Sequence, residues 1–184
     1  SAWASPALDA LNAQRAASGI PAAIAENPDW SSSCAAHVAY MVATGTVTHG
    51  EDASQPTYSP AGDWAGANAV LSWSGGGWGT GGNPYETAPL HLAQLLAPQL
   101  ATAGVADADD RTCLTTWPGY TRRTPGIPRV VTYPGDGGGI YAAEVSDEWP
   151  TTPAAVLGLA NPTGPPLFAF HWGAGQPRLL RASL

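Results

Sequence analysis

The feature that most restricts the folds open to this chain is a change of hydrophobic period near residue 98. Before it, apolar residues recur at helical spacing; after it, they alternate as in strands. Leu8 and Leu11, with Ala4 and Ala7, give a first helix its apolar stripe. Ser5 is placed to cap that helix, Pro6 suits its first position, and Gly19 suits the residue beyond its end. A second helix is expected over residues 29–44, ended by Gly45, with Trp30, Cys34, His37, Val38 and Met41 on one face. Residues 50–62 read as a loop and residues 63–73 as a third helix. A fourth covers residues 88–97, with Pro89 in its first turn and Pro98 stopping it. Strands are expected over residues 102–106, 112–117, 129–133 and 166–172, with one more at 178–184. Helices first and strands second give an α+β class, layered as helix, sheet, helix.

At 184 residues the chain can hold one domain with a real core, or one domain and a small appendage. Only 11% of its residues are charged, its net charge is −7 and its pI about 4.7. That balance argues against nucleic acid, which needs a basic face, and against electrostatic docking on anionic membranes. No apolar run approaches the roughly 20 residues of a membrane helix. Ser1, in place of an initiating Met, reads as the start of a processed or trimmed product.

Two cysteines, Cys34 and Cys113, leave three readings open: a structural disulfide, two buried thiols, or two reactive thiols. No basic cluster adjoins either one to lower a thiol pKa, which favours the bridge over reactive chemistry. A bridge closing so long a loop would stabilise by roughly 4 kcal/mol in the chain-entropy treatment, and would imply an oxidising compartment.

Chemistry rests mainly on two histidines. His49, in Thr48-His49-Gly50-Glu51-Asp52, follows the second helix; His91, in Ala88-Pro89-Leu90-His91, opens the fourth. Histidines where helices meet loops tend to line clefts. Two imidazoles on separate elements can hold a divalent ion with water in the open positions, although a structural zinc wants four ligands. Glu51, Asp52 and Glu86 are the nearby carboxylates. They can complete such a site, orient a ring, or act with a histidine as acid and base, Glu51 being the candidate catalytic residue. His37 lies on an apolar stripe and reads as a core histidine; His171 reads as a strand position. Trp64, Trp73 and Trp78 can stack on sugar rings or anchor the core. There is no H-E-x-x-H, G-x-S-x-G or P-loop. The G-x-G-x-x-G of Gly77, Gly79 and Gly82 lacks the flanking strand and helix of a dinucleotide site. Asp107, Asp109 and Asp110 read as a solvated turn.

Read in order, several segments resemble the CAP superfamily (SCP/TAPS: cysteine-rich secretory, antigen 5, pathogenesis-related 1). They are Leu11 to Pro21, Cys34 to Met41, Val47-Thr48-His49, Ala88 to His91 with Leu95 to Pro98, and Ala103 to Ala106. His49-Gly-Glu51-Asp52, Tyr58 to Gly62 and Tyr133 to Gly137 look like a bacterial branch. The resemblance implies an α-β-α sandwich over residues 5–118, followed by a β-rich extension over 119–184. It implies a cleft with two His and two Glu that in some members holds zinc or another divalent cation. His49 and His91 match the two His. The family's Gly-Glu-Asn reads Gly66-Ala67-Asn68 here, so that acid is absent, with Glu51 as the candidate substitute; Glu86 is the candidate for the second Glu.

The expected function is therefore a secreted or cell-surface module that binds a ligand or surface without catalysis, through a cleft of His49, His91, Glu51 and Glu86. Cell-wall glycan, lipid or a surface protein are the implied partners. A metal-assisted or Glu51-dependent hydrolase of glycan or peptide is the first rival, and a structural module of a larger surface protein the second.

Overall fold

The computed structural model describes residues 5–20, 23–73, 78, 82–108, 110–122, 130–139, 148, 151–156, 158 and 168–171. The helices are α1 (Pro6–Ala17), α2 (Pro28–Thr44), α3 (Pro60–Ala67), α4 (Pro89–Leu96) and the short α5 (Pro153–Val156). The strands are β1 (Ala25–Glu26), β2 (Ala69–Trp73), β3 (Thr102–Ala103), β4 (Val105–Ala108), β5 (Arg111–Thr115), β6 (Val130–Tyr133) and β7 (Phe168–His171).

Local chemistry explains the helix ends. Asn27 caps α2, its side-chain oxygen accepting from the N–H groups of Asp29 and Trp30, and Gly45 closes it in the left-handed region at φ +66°. The Ser59 hydroxyl accepts from Gly62 N–H at the start of α3. The expected Ser5 side-chain cap does not form; Ser5 is held instead by its own N–H, which donates to Glu26 Oε2.

A three-stranded antiparallel sheet in the order β2–β5–β4 is the centre of the molecule. Alternation along its strands divides the core in two. Val70, Val105 and Leu114 pack with Leu8 and Leu11 of α1, Leu95 of α4, Tyr85 and Trp78. Ala69, Leu71, Ala106 and Cys113 pack with Cys34, Val38 and Met41 of α2 and Ala65 of α3. The result is the expected α+β sandwich, helix on each face of the sheet. Cys34 and Cys113 form a disulfide that ties α2 to the central strand.

Two expectations need correcting. Residues 63–73 are not one helix: α3 ends at Ala67, and β2 follows, paired residue for residue with β5 from Ala69↔Thr115 to Trp73↔Arg111. A short apolar run such as Ala69-Val-Leu71 carries no period that separates helix from strand, so the partner strand decides. Likewise residues 102–106 divide at Gly104. β3 pairs parallel with β1, while β4 pairs with β5. A Cβ on Gly104 would lie 2.3 Å from the Trp30 backbone, so that crossing needs glycine.

β6 and β7 pair antiparallel and pack as a second layer. Val131, Tyr133, Phe168 and Phe170 close over Ile20, at the end of α1, and over Leu92 and Leu96 of α4. Asp136 N–H also donates to Ala17 O. Arg15 is buried beneath α4, its guanidinium donating to the carbonyls of Leu95, Ala97 and Leu100, and burial lowers its pKa to about 10. The expected strand at 178–184, the Ile140-Tyr141 segment and most of the glycine-rich stretch at 74–83 lie outside the described residues.

Candidate functional site

His49 sits between α2 and α3. Its Nδ1 lies 2.8 Å from the carbonyl oxygen of Gly66, in the last turn of α3. A carbonyl only accepts, so Nδ1 carries the hydrogen and the neutral ring keeps its lone pair on Nε2. The close approach depends on Gly66: a Cβ there would lie 2.7 Å from His49 O and 2.4 Å from His37 Cε1.

His91 lies in the first turn of α4. That helix has no side-chain cap of its own at Ala88, and Pro89 occupies its first position. Glu148, far along the chain, supplies what is missing. Its carboxylate accepts from the N–H groups of Leu90 and His91, both at 2.9 Å, and from His91 Nδ1 at 2.6 Å. An anion at a helix N-terminus satisfies orphan donors and meets the positive end of the helix dipole. Glu148 is buried and His91 only 17% exposed at the side chain. The carboxylate fixes the hydrogen on His91 Nδ1, which leaves the lone pair on Nε2 when the ring is neutral.

Both histidines line one cavity of about 750 Å³, with Glu148, Ser72, Tyr85 and Trp73 among its walls. Tyr85 stacks on the His91 ring at 5.9 Å, and its hydroxyl donates to Val70 O. Complete burial raises the Tyr85 pKa well above the ordinary tyrosine value. At the mouth, Trp73 is 65% exposed. Its indole N–H donates to Asp110 Oδ2 at 2.6 Å, and the Arg111 guanidinium carbon lies 4.4 Å from its ring centre. Arg111 in turn pairs with Asp110 and donates to Thr46 O. Of the three tryptophans considered for sugar stacking, Trp78 is buried against Tyr85 and Trp64 leans on Trp30.

The two carboxylates expected beside the histidines lie elsewhere. Glu51 Oε1 faces His37 Nδ1 at 2.9 Å and Oε2 accepts from Ser59 N–H; both the His37 and Glu51 side chains are fully buried. His37 Nε2 faces Thr48 O at 2.8 Å, so this pair braces the loop leading to His49 and does not line the cavity. A carboxylate without solvent access cannot meet a substrate, which removes the geometric basis for Glu51 as the catalytic residue. Glu86 is also buried, with the Tyr133 hydroxyl 3.5 Å from its Oε2, and it too is absent from the cavity wall. Among the described residues the carboxylate in the cavity wall is Glu148, which was not among the sequence candidates. The one local hint of it is a Pro-started helix preceded by Ala88 instead of a capping Ser, Thr, Asp or Asn.

A resident divalent ion would find two imidazole nitrogens here. Among the described residues, no three His, Cys, Asp or Glu side chains are grouped as metal ligands. Glu148 is committed to His91 and the end of α4, and Ala67 has no side-chain donor to offer. The donor set does not fit a tightly held metal.

A model of the Cysteine-rich secretory protein family (CAP) matches residues 8–120. The chain belongs to the CAP family. No curated protein and no solved structure matches it. Both cleft histidines fall inside the matched CAP residues, whereas Glu148 lies beyond them. In this CAP chain the partner that orients His91 therefore lies beyond the matched residues.

Proposed function

We propose that this CAP domain is a secreted, non-enzymatic binding module. Its cleft takes a neutral ligand that donates hydrogen bonds to the Nε2 atoms of His49 and His91. The observation that carries this reading is that each imidazole has its Nδ1 hydrogen committed to a protein acceptor, Gly66 O or Glu148, while both rings line one cavity. Two rings held in that tautomer offer two acceptors and no ring donor. The disulfide supports an oxidising, extracellular setting, and among the described residues no helix is long and apolar enough to cross a membrane. In this reading residues 119–184 form an extension whose contribution to binding is Glu148.

The test is histidine-selective ¹⁵N–¹H spectroscopy against a panel of neutral hydroxyl and amide fragments. The expected result is a fragment that moves the His49 and His91 ring signals together and is lost in the His49→Ala/His91→Ala double variant. Fragments that bind without moving either ring would overturn it.

The Glu148–His91 contact is also what a hydrolase uses to orient a general base, which favours that reading second. Turnover of a glycan or peptide panel by the wild type, lost in His91→Ala, would promote it.

A further inference from the structure

We propose that the ligand of this cleft is a neutral pyranose sugar, stacked by its C–H face on the outer face of Trp73, with its hydroxyls directed to the two histidines. The proposal rests on the cleft reading above and adds the ligand's chemical class.

Trp73 is a large apolar side chain left 65% exposed at the mouth of a cavity, yet it is tightly held. Arg111 covers one face of the ring, and the two residues are cross-strand partners in β2 and β5. Asp110 takes the only polar atom of the indole. What remains is a bare π face, already ordered before any ligand arrives, so little conformational entropy is lost on binding.

The chemistry of the surroundings narrows what can lie on that face. A cationic ligand is disfavoured, because a guanidinium already occupies the opposite face and draws on the same π density. An anionic ligand meets a chain of net charge −7, with Asp110 at the platform and Glu148 in the wall. An alkyl chain would cover the stacking face but desolvate the histidine acceptors, Ser72 and Thr48 without replacing their hydrogen bonds. A pyranose ring has an apolar C–H face and an equatorial rim of hydroxyl donors, which matches an indole wall beside two imidazole acceptors. The cavity volume of about 750 Å³ is in the usual range for a small-ligand site.

The test titrates the intact protein with cellotetraose and with chitotetraose, reading tryptophan fluorescence and the indole and imidazole NMR signals. The two tetrasaccharides separate glucose-type from N-acetylhexosamine-type recognition. Choline and octanoate serve as the cationic and alkyl probes. A tetrasaccharide is expected to shift the Trp73 indole N–H together with the His49 and His91 rings. Trp73→Ala should weaken it by about tenfold or more, and Trp73→Phe by only a few-fold. Choline and octanoate should leave the Trp73 signal unmoved. Absence of any shift with both sugars, each at about 10 mM, overturns the proposal. So does a Trp73→Ala variant that binds as the wild type does while His49→Ala/His91→Ala loses binding; the cleft reading would then survive. Binding lost in Trp73→Ala but unchanged in the double histidine variant would sustain stacking and overturn the cleft reading.

Discussion

Glu148 holds His91 twice, by the backbone N–H at 2.9 Å and by the ring Nδ1 at 2.6 Å. One buried carboxylate thus sets the start of α4 and the orientation of an imidazole in the cleft wall. Removing it leaves three donors without their acceptor. Glu148→Ala is expected to lower stability by about 2–4 kcal/mol in urea unfolding. It should also release the His91 ring, read as a change in the ¹⁵N shift pattern that marks the Nδ1–H tautomer. Glu148→Gln keeps an acceptor and should lose less. Unchanged His91 shifts in Glu148→Ala would show that the carboxylate caps the helix without orienting the ring.

Glu51 is expected to act on stability and not on binding. Thr48 O can only accept, so His37 Nε2 carries a hydrogen, and the contact between Nδ1 and Glu51 needs one more, on the ring or on the carboxyl. Deleting one member of such a buried pair strands the other. Glu51→Ala should cost about 3–5 kcal/mol. Glu51→Gln offers either a donor or an acceptor to His37 and should cost no more than about 1–2 kcal/mol. It should leave the cleft's fragment hits in place. Loss of those hits in a folded Glu51→Gln protein would return Glu51 to the site.

Much of the fold was legible because its signals are local. Pro28 and Gly45 bracket α2, and Leu8 and Leu11 sit one turn apart on α1. The errors came where the deciding contact is remote. Ala69–Trp73 is a strand because β5 lies beside it, and Gly104 breaks a strand because Trp30 crosses there. The site follows the same division. His49 and His91 stand out as helix-end residues, but their hydrogen-bond partners do not. Glu51 looked close to His49 along the chain, yet its carboxylate turns into the body of the protein toward His37. Glu148 reaches His91 across 57 residues, and no spacing rule connects them.

The disulfide is expected to act mainly on the unfolded chain. Cys34 and Cys113 are separated by 79 residues and both are fully buried. Replacing both by alanine should lower stability by about 4 kcal/mol through the freed loop entropy, with an added contribution from the small cavity left between α2 and β5. Denaturant midpoints of the oxidised wild type and of the double alanine variant measure it. A loss below about 1 kcal/mol would mean that packing of α2 on the sheet restrains this segment without the bond.

Tyr120 supplies a pH signature. Its hydroxyl donates to Gln94 O, and desolvation pushes its pKa up to about 12, against opposing contributions from Thr116 and the Arg15 charge. A tyrosine whose folded pKa exceeds its unfolded value stabilises the fold while it stays neutral. That contribution is complete below about pH 10 and is lost as pH rises toward 12. Tyr120→Phe removes both the hydrogen bond and the titration. Wild type should therefore be the more stable by about 1 kcal/mol at pH 7, and the gap should narrow steadily above pH 10. Paired urea titrations between about pH 8 and 11.5 test the sign. A gap that widens with pH would mean that the phenolate is the form favoured in the folded protein, with the Arg15 charge outweighing desolvation.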